Sequence, residues 1–71
     1  RSFVLSSESS FKDKSIRECG LREAVDGLIV GLERNGERIL SPDSSLVLKP
    51  GDLIWLVGDA DKLSAILRVS I

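Results

Sequence analysis

The sequence of 71 residues contains no histidine and only one cysteine. Most nucleophile–base pairs of enzymes use one of these residue types, so the common dyads and triads have no members here. No serine stands in a G-x-S-x-G setting, and no glycine-rich segment has the spacing of a phosphate-binding loop. Zinc ligands are equally scarce. The sequence therefore predicts a domain that is not an enzyme and has no metal site.

Other absences exclude two classes of partner. The only aromatic residues are Phe3, Phe11 and Trp55, too few for a surface that stacks bases. The net charge is −1 and the basic residues are spread along the chain, so no basic stripe is present. The longest apolar run, Leu53–Val57, is far shorter than the roughly 20 residues of a spanning helix. We therefore expect neither nucleic-acid binding nor direct membrane insertion by this chain.

Methionine is absent as well, and the sequence begins at Arg1. Because it shows neither start nor leader features, we expect residues 1–71 to be one domain of a longer chain. A composition of 42% hydrophobic and 30% charged residues is typical of a small globular domain. The lone Cys19 cannot form an internal disulfide, which favours a reducing compartment, and we expect it to be buried and inert.

The clearest local signal is a β-hairpin at about 28–41, in the segment GLIVGLERNGERILSP. Asn35-Gly36 is the preferred pair for a type I′ turn, which requires positive φ at both positions. Such a turn predicts the pairs Arg34 with Glu37, Glu33 with Arg38, and Leu32 with Ile39. Both charged pairs are opposite in sign, as cross-strand stabilisation requires.

Two short helices are predicted on either side of this hairpin. Ser15 and Glu18 form a capping box at the start of a broken helix over about 15–26. Its inward positions are Ile16, Leu21 and Val25. Asp59 can cap a second helix over about 59–67, in which apolar residues recur at helical spacing. The order of elements predicts an α+β domain with a small, mostly antiparallel sheet of four or five strands.

A strand after the turn LKPGD is apolar on both faces. It places Leu53, Trp55 and Val57 on one side and Ile54 and Leu56 on the other. Further short strands are predicted at SFVLS and, at the end of the chain, at RVSI. Trp55 is then an anchor either of the core or of an interface.

Two helices can cover only one face of the predicted sheet. We place Ile29, Leu40 and Ile54 on the other face, where no further element of the chain is left to pack on them. Apolar residues that a chain leaves uncovered are often covered by a partner. We therefore expect part of the cover to come from a second chain or domain.

The order and spacing of IRECGLRE, GLIVGLERNGERILSPD and LVLKPGDLIWLVGDADKL resemble those of the TrkA C-terminal domain. This domain is the C-lobe of the RCK regulators of potassium transport, and the resemblance covers residues 3–67. The hairpin segment and Trp55 are most similar to the form attached to Kef-type cation–proton antiporters. The resemblance implies a cytosolic regulatory domain of a membrane transporter or channel, on the cytoplasmic side of the cell membrane, that forms homodimers.

In some members of the family a nucleotide, cyclic di-AMP, lies in the groove between two C-lobes. The resemblance implies a ligand site at four positions here: Arg22, Val25, Leu28 and Pro42. The resemblance implies that Arg22 faces a phosphate. The alternative is that Arg22 is an ordinary solvated charge on the helix. Leu28 stands where nucleotide binders tend to have asparagine, and leucine cannot hydrogen-bond an adenine edge. A different ligand, or a purely structural dimerisation module with no ligand, is therefore the alternative.

Overall fold

A computed structural model describes residues 1–68 as an antiparallel sheet with short helices on one face. Within this range the strands are β1 (Ser2–Val4), β2 (Leu28–Arg34), β3 (Glu37–Leu40) and β4 (Leu53–Val57). The helices are α1 (Ile16–Cys19), α2 (Leu21–Val25) and α3 (Ala60–Leu67). The strand order β1-β4-β2-β3 makes β1 and β3 the edges. The predicted α+β class is confirmed; the strand predicted at RVSI lies, beyond Arg68, outside the described residues.

The hairpin has the predicted register. β2 and β3 pair Arg34 with Glu37, Glu33 with Arg38 and Leu32 with Ile39. Asn35 and Gly36 have φ of 52° and 80°, as a type I′ turn requires. The turn dipeptide and the strand pattern therefore specify the same pairing.

The helices also begin where their caps predict. The amide of Glu18 donates to Ser15 Oγ at 3.2 Å, and Ser15 Oγ donates to the Glu18 carboxylate at 2.9 Å. Gly20, with φ of 81°, separates α1 from α2, so the broken helix is two helical turns. Asp59 caps α3 by accepting from the amide of Lys62 at 3.0 Å. Ile16, Leu21 and Val25 are buried, as expected.

The prediction of which residues lack a cover was wrong for two of three positions. Ile29 is 8% exposed and Ile54 is 0% exposed, because both lie on the face that the helices cover. The pairing of β2 with β4 shifts register between Ile29 and Gly31, and this bulge changes the alternation of side chains along β2. Leu40 is 71% exposed, as predicted. We call the opposite side of the sheet the outer face; the apolar residues on it include Val4, Leu28, Val30, Leu40, Leu53, Trp55 and Val57.

A buried ion pair ties the hairpin to the turn before β4. Arg34 donates to both oxygens of Asp52, from Nε at 2.8 Å and from a terminal nitrogen at 2.6 Å. The amide of Lys49 donates to the same carboxylate at 2.8 Å. Asp52 is 2% exposed, so three donors satisfy a carboxylate that water barely reaches. Asp52 is the last residue of the predicted turn LKPGD, and its contact with Arg34 is not indicated by the turn pattern.

This ion pair predicts acid sensitivity. Burial raises the pKa of Asp52, but the hydrogen bonds from Arg34 and Lys49 outweigh burial and hold it below its ordinary value of 3.8. A carboxyl group whose pKa is lower in the folded than in the unfolded protein contributes its full stabilisation of the fold above the unfolded-state pKa. This contribution is lost as the pH falls through the folded-state pKa. We expect the free energy of unfolding, from urea titrations, to fall below about pH 4. Asp52→Asn should flatten this fall, and parallel curves for both proteins would contradict the assignment.

Candidate functional site

A cleft of about 260 Å³ opens where α2, the start of β2 and the segment after β3 meet. We call it the Arg22 cleft. Its wall combines the arginine with apolar side chains and two hydroxyl groups, from Ile16, Arg22, Leu28, Ile29, Val30, Ser41, Pro42 and Ser44. The cleft is therefore an apolar groove with one cationic group, a combination suited to an anion that carries a flat apolar part.

The fold brings three of the four predicted site residues together. Arg22 projects from α2, Leu28 is the first residue of β2, and Pro42 follows β3. The amide of Ser41 donates to the Val30 carbonyl at 3.1 Å, which holds the segment after β3 against β2. Val25 does not line the cleft, because it faces the core and is 0% exposed.

Arg22 has an unsatisfied donor at this wall. Its Nε atom is buried and has no hydrogen-bond partner among the described residues. A buried donor left unpaired costs roughly 1–3 kcal/mol, so an anion that accepts from it would be stabilised. The other side of Arg22 borders a hollow with Glu23 and Asp26, whose carboxylates make the cleft side the more favourable one for an anion.

Five residues of the wall were not predicted as site residues: Ile16, Ile29, Val30, Ser41 and Ser44. Ile16 and Ile29 carry core signals, because each faces the interior from the end of a helix or strand. Ser44 follows Pro42 in a polar segment and carries no site signal, but its Oγ accepts from Arg17 at 3.0 Å beside the cleft. Nothing in the local sequence distinguishes a core residue that borders a cleft from a residue in the middle of the core.

A second hollow, of about 340 Å³, lies on the outer face. It is lined by Val30, Gly31, Arg38, Leu40 and Trp55. The Arg38 guanidinium lies 5.5 Å from the centre of the Trp55 ring, within the range of a cation–π contact. Arg38 therefore packs on the tryptophan, although the register sets it opposite Glu33.

The remaining candidate groups have structural explanations. Cys19 is 8% exposed, and its burial raises the pKa of the thiol, so little of it is the reactive thiolate. Among residues 1–68, no group of three His, Cys, Asp or Glu side chains could hold a metal ion. Over the same range, none of the helices has the length and apolar character needed to cross a membrane.

The sequence matches the TrkA-C domain over residues 1–70. It is 32% identical over 63 residues to a probable potassium channel protein 2 from Methanocaldococcus jannaschii. This alignment covers 89% of the chain but 18% of that relative, so the chain corresponds to a small part of it.

Solved structures with the same fold include two of S. agalactiae BusR. The RCK_C domain dimer of BusR in complex with c-di-AMP superimposes with a TM-score of 0.82 and 31% identity, covering 96% of this chain and 90% of that one. BusR in complex with its busAB-promoter DNA has the same score and identity, covering 96% and 33%. The RCK C domain of the potassium transport protein KtrA in complex with c-di-AMP shares the fold, with a TM-score of 0.76 at 22% identity, covering 94% and 79%. By sequence and by fold, the chain belongs to the TrkA-C domain family.

Proposed function

We propose that this chain is a non-enzymatic regulatory lobe of a cation transport system, which binds a nucleotide in the Arg22 cleft. The observation that carries the proposal is the buried Arg22 Nε at the wall of an apolar groove, which has no hydrogen-bond partner among residues 1–68. A nucleotide phosphate would satisfy this donor while the base packs on the apolar wall. The BusR domain dimer, which has the same fold and holds c-di-AMP, supports this class of ligand.

Leu28 limits which contacts such a ligand can make. Its side chain is 55% exposed at the cleft and offers neither a donor nor an acceptor to a base. Affinity would come from the phosphate contact at Arg22 and from apolar packing against Leu28 and Pro42. A cyclic dinucleotide such as cyclic di-AMP fits this chemistry, with weaker selection among bases than a polar residue at position 28 would provide.

The parent protein is proposed as a potassium or other cation transporter of the Kef antiporter type, or a channel. The similarity to a probable potassium channel protein supports the transport role. Residues 1–71 would act as one domain of that longer chain, on the cytoplasmic side of the membrane and paired with a second copy. A ligand would then regulate transport by binding one state of the paired lobes better than the other.

A structural dimerisation module without a ligand is the second candidate. The apolar side chain of Leu28 favours it, because this position supplies no hydrogen bond to a base. In both candidates the chain itself contacts no nucleic acid. A net charge of −1 without a basic stripe supports this, although the related BusR has been solved with DNA.

The test is calorimetric titration of the chain with adenine nucleotides, including cyclic di-AMP, for the wild type and Arg22→Gln. We expect binding by the wild type and a loss of affinity of at least about tenfold in the variant, because a hydrogen bond to a charged group contributes roughly 1.5–3 kcal/mol. Arg68→Gln, which removes an exposed arginine at the end of α3, is the matched control and should bind normally.

Circular dichroism of the variants excludes unfolding as the cause of lost binding. A wild type that binds none of these nucleotides would favour the structural module. Binding that is unchanged in Arg22→Gln would place the ligand elsewhere.

A further inference from the structure

We propose that Arg17 is a second anion-binding residue of the Arg22 cleft, and that the cleft therefore selects nucleotides with two phosphate groups over those with one. This inference rests on the proposed function and deepens it, because it names the charge of the ligand and a residue that decides it. Arg17 lies on α1 and is exposed. The hydroxyl group of Ser44, which lines the cleft, holds its guanidinium beside the wall.

Two hydrogen bonds hold Arg17 against the segment after β3. Its amide donates to the Ser44 carbonyl at 2.9 Å, and a terminal guanidinium nitrogen donates to Ser44 Oγ at 3.0 Å. The preceding amide, that of Ile16, donates to the Leu46 carbonyl at 2.9 Å. The backbone that carries Arg17 is therefore fixed relative to the cleft. A side chain that is already held in place loses less conformational entropy when a ligand binds.

The break between α1 and α2 allows both arginines to serve one cleft. In a continuous helix, residues five positions apart point in directions that differ by about 140°. Gly20, with φ of 81°, interrupts the helix between Arg17 and Arg22. Arg22 lines the cleft from α2, while Arg17 reaches it from α1 through Ser44. An uninterrupted helix would turn the two guanidinium groups to different sides.

The positive charge of Arg17 is not neutralised by a carboxylate. Within residues 1–68 it forms no ion pair, and the wall of the cleft contains neither aspartate nor glutamate. The adjacent Glu18 accepts from Ser15 Oγ in the helix cap. Hydrogen bonds from Ser45 hold the pKa of Asp43 below its ordinary value of 3.8, and the charge of Arg17 contributes least to this shift. An anion in the cleft would therefore act on Arg17 with little competition.

Two cationic groups at one cleft favour a ligand with two anionic groups. Arginine has five donors in a planar fork that matches the oxygens of a phosphate, and in the described part of the chain the Arg17 side chain uses one of them, on Ser44. A nucleotide with one phosphate can satisfy Arg22 and leaves Arg17 without an anion. Nucleoside diphosphates carry two phosphates side by side, whereas nucleoside bisphosphates and cyclic dinucleotides carry them apart on the ribose. Each of these can engage both arginines.

Calorimetric titration with AMP, ADP and adenosine 3′,5′-bisphosphate tests the proposal, because the three share a base and differ in their phosphates. We expect the wild type to bind ADP or the bisphosphate at least about tenfold more tightly than AMP, and the preferred one reports the spacing of the two phosphates. Arg17→Gln should remove this preference and leave the affinity for AMP unchanged. Arg22→Gln should weaken all three. Arg68→Gln, at an exposed arginine of α3, is the matched control and should retain the preference.

Ser44 acts here as a positioning residue, and its variants give a second readout. Ser44→Ala should reduce the preference for two phosphates several-fold, whereas Ser44→Thr, which keeps the hydroxyl group, should retain it. Added salt should also reduce the preference in the wild type, because it screens the attraction between exposed charges, and should have less effect in Arg17→Gln.

Circular dichroism of each variant shows whether it is folded. A preference for two phosphates that survives Arg17→Gln would overturn this inference, as would a wild type that binds AMP as tightly as the other two ligands. Either result leaves the proposed function in place as long as Arg22→Gln still weakens binding. A wild type that binds no nucleotide would overturn both proposals.

Discussion

Replacing Gly27 by alanine is expected to destabilise the domain by about 3 kcal/mol or more. Gly27 joins α2 to β2 and passes directly beside the end of β4. A methyl group there would overlap the carbonyl oxygen of Val57 and approach the Cα of Gly58 to 2.6 Å. Both obstacles are backbone atoms and cannot move aside by rotation. A Cβ added at Gly58 would in turn overlap the Val25 carbonyl oxygen, so the backbones of the two segments are in close contact at both glycines.

Urea unfolding followed by circular dichroism measures this effect. Domains of this size are stabilised by only about 5–10 kcal/mol, so the variant should unfold at much lower urea or at room temperature. Gly51→Ala is the control: its φ of 91° is unfavourable for alanine, but nothing lies within 4 Å of the added Cβ. It should cost about 1–2 kcal/mol. Equal effects of the two substitutions would show that Gly27 packs less closely against the end of β4 than described.

Asp52→Ala is expected to cost about 2–3 kcal/mol. The substitution removes the acceptor of two Arg34 donors and of the Lys49 amide. It leaves Arg34, whose side chain is 29% exposed, with only the Val47 carbonyl as a described partner. Partial exposure of Arg34 lets water recover some of the loss, which places the effect below that of a fully buried pair.

Asp13→Asn is the comparison for this effect. Asp13 accepts from Lys49 Nζ at 3.2 Å, but its side chain is 55% exposed and that of Lys49 is 53% exposed. Removing this surface pair should change the free energy of unfolding by less than about 1 kcal/mol in the same urea titrations. Similar losses in both variants would mean that burial does not strengthen the Arg34–Asp52 pair.

The local elements were predictable because their signals are local. Asn35-Gly36 sets the turn and hence the register of β2 with β3, and Ser15 with Glu18 sets the start of α1. Each signal acts between residues a few positions apart, where backbone geometry leaves few alternatives. The family, too, was identified from the order and spacing of such segments, and the match over residues 1–70 confirms it.

The candidate site was predictable only in part. Arg22, Leu28 and Pro42 were proposed through the resemblance, and the fold brings them to one cleft. Val25 was proposed in the same way, but helix geometry turns it into the core. A sequence position identifies a neighbour along the chain, whereas the wall of a cleft depends on side-chain directions from several elements at once.

The amino-acid sequence by itself determined the α+β class, the hairpin, the helix starts and the presence of apolar residues that residues 1–68 leave exposed. Tertiary structure decided which residues these are, because the bulge between Ile29 and Gly31 reverses the alternation along β2. It also decided that Arg34 pairs with Asp52, 18 positions away. Both outcomes depend on how β2 meets β4 in space, and no local pattern of residues encodes that contact.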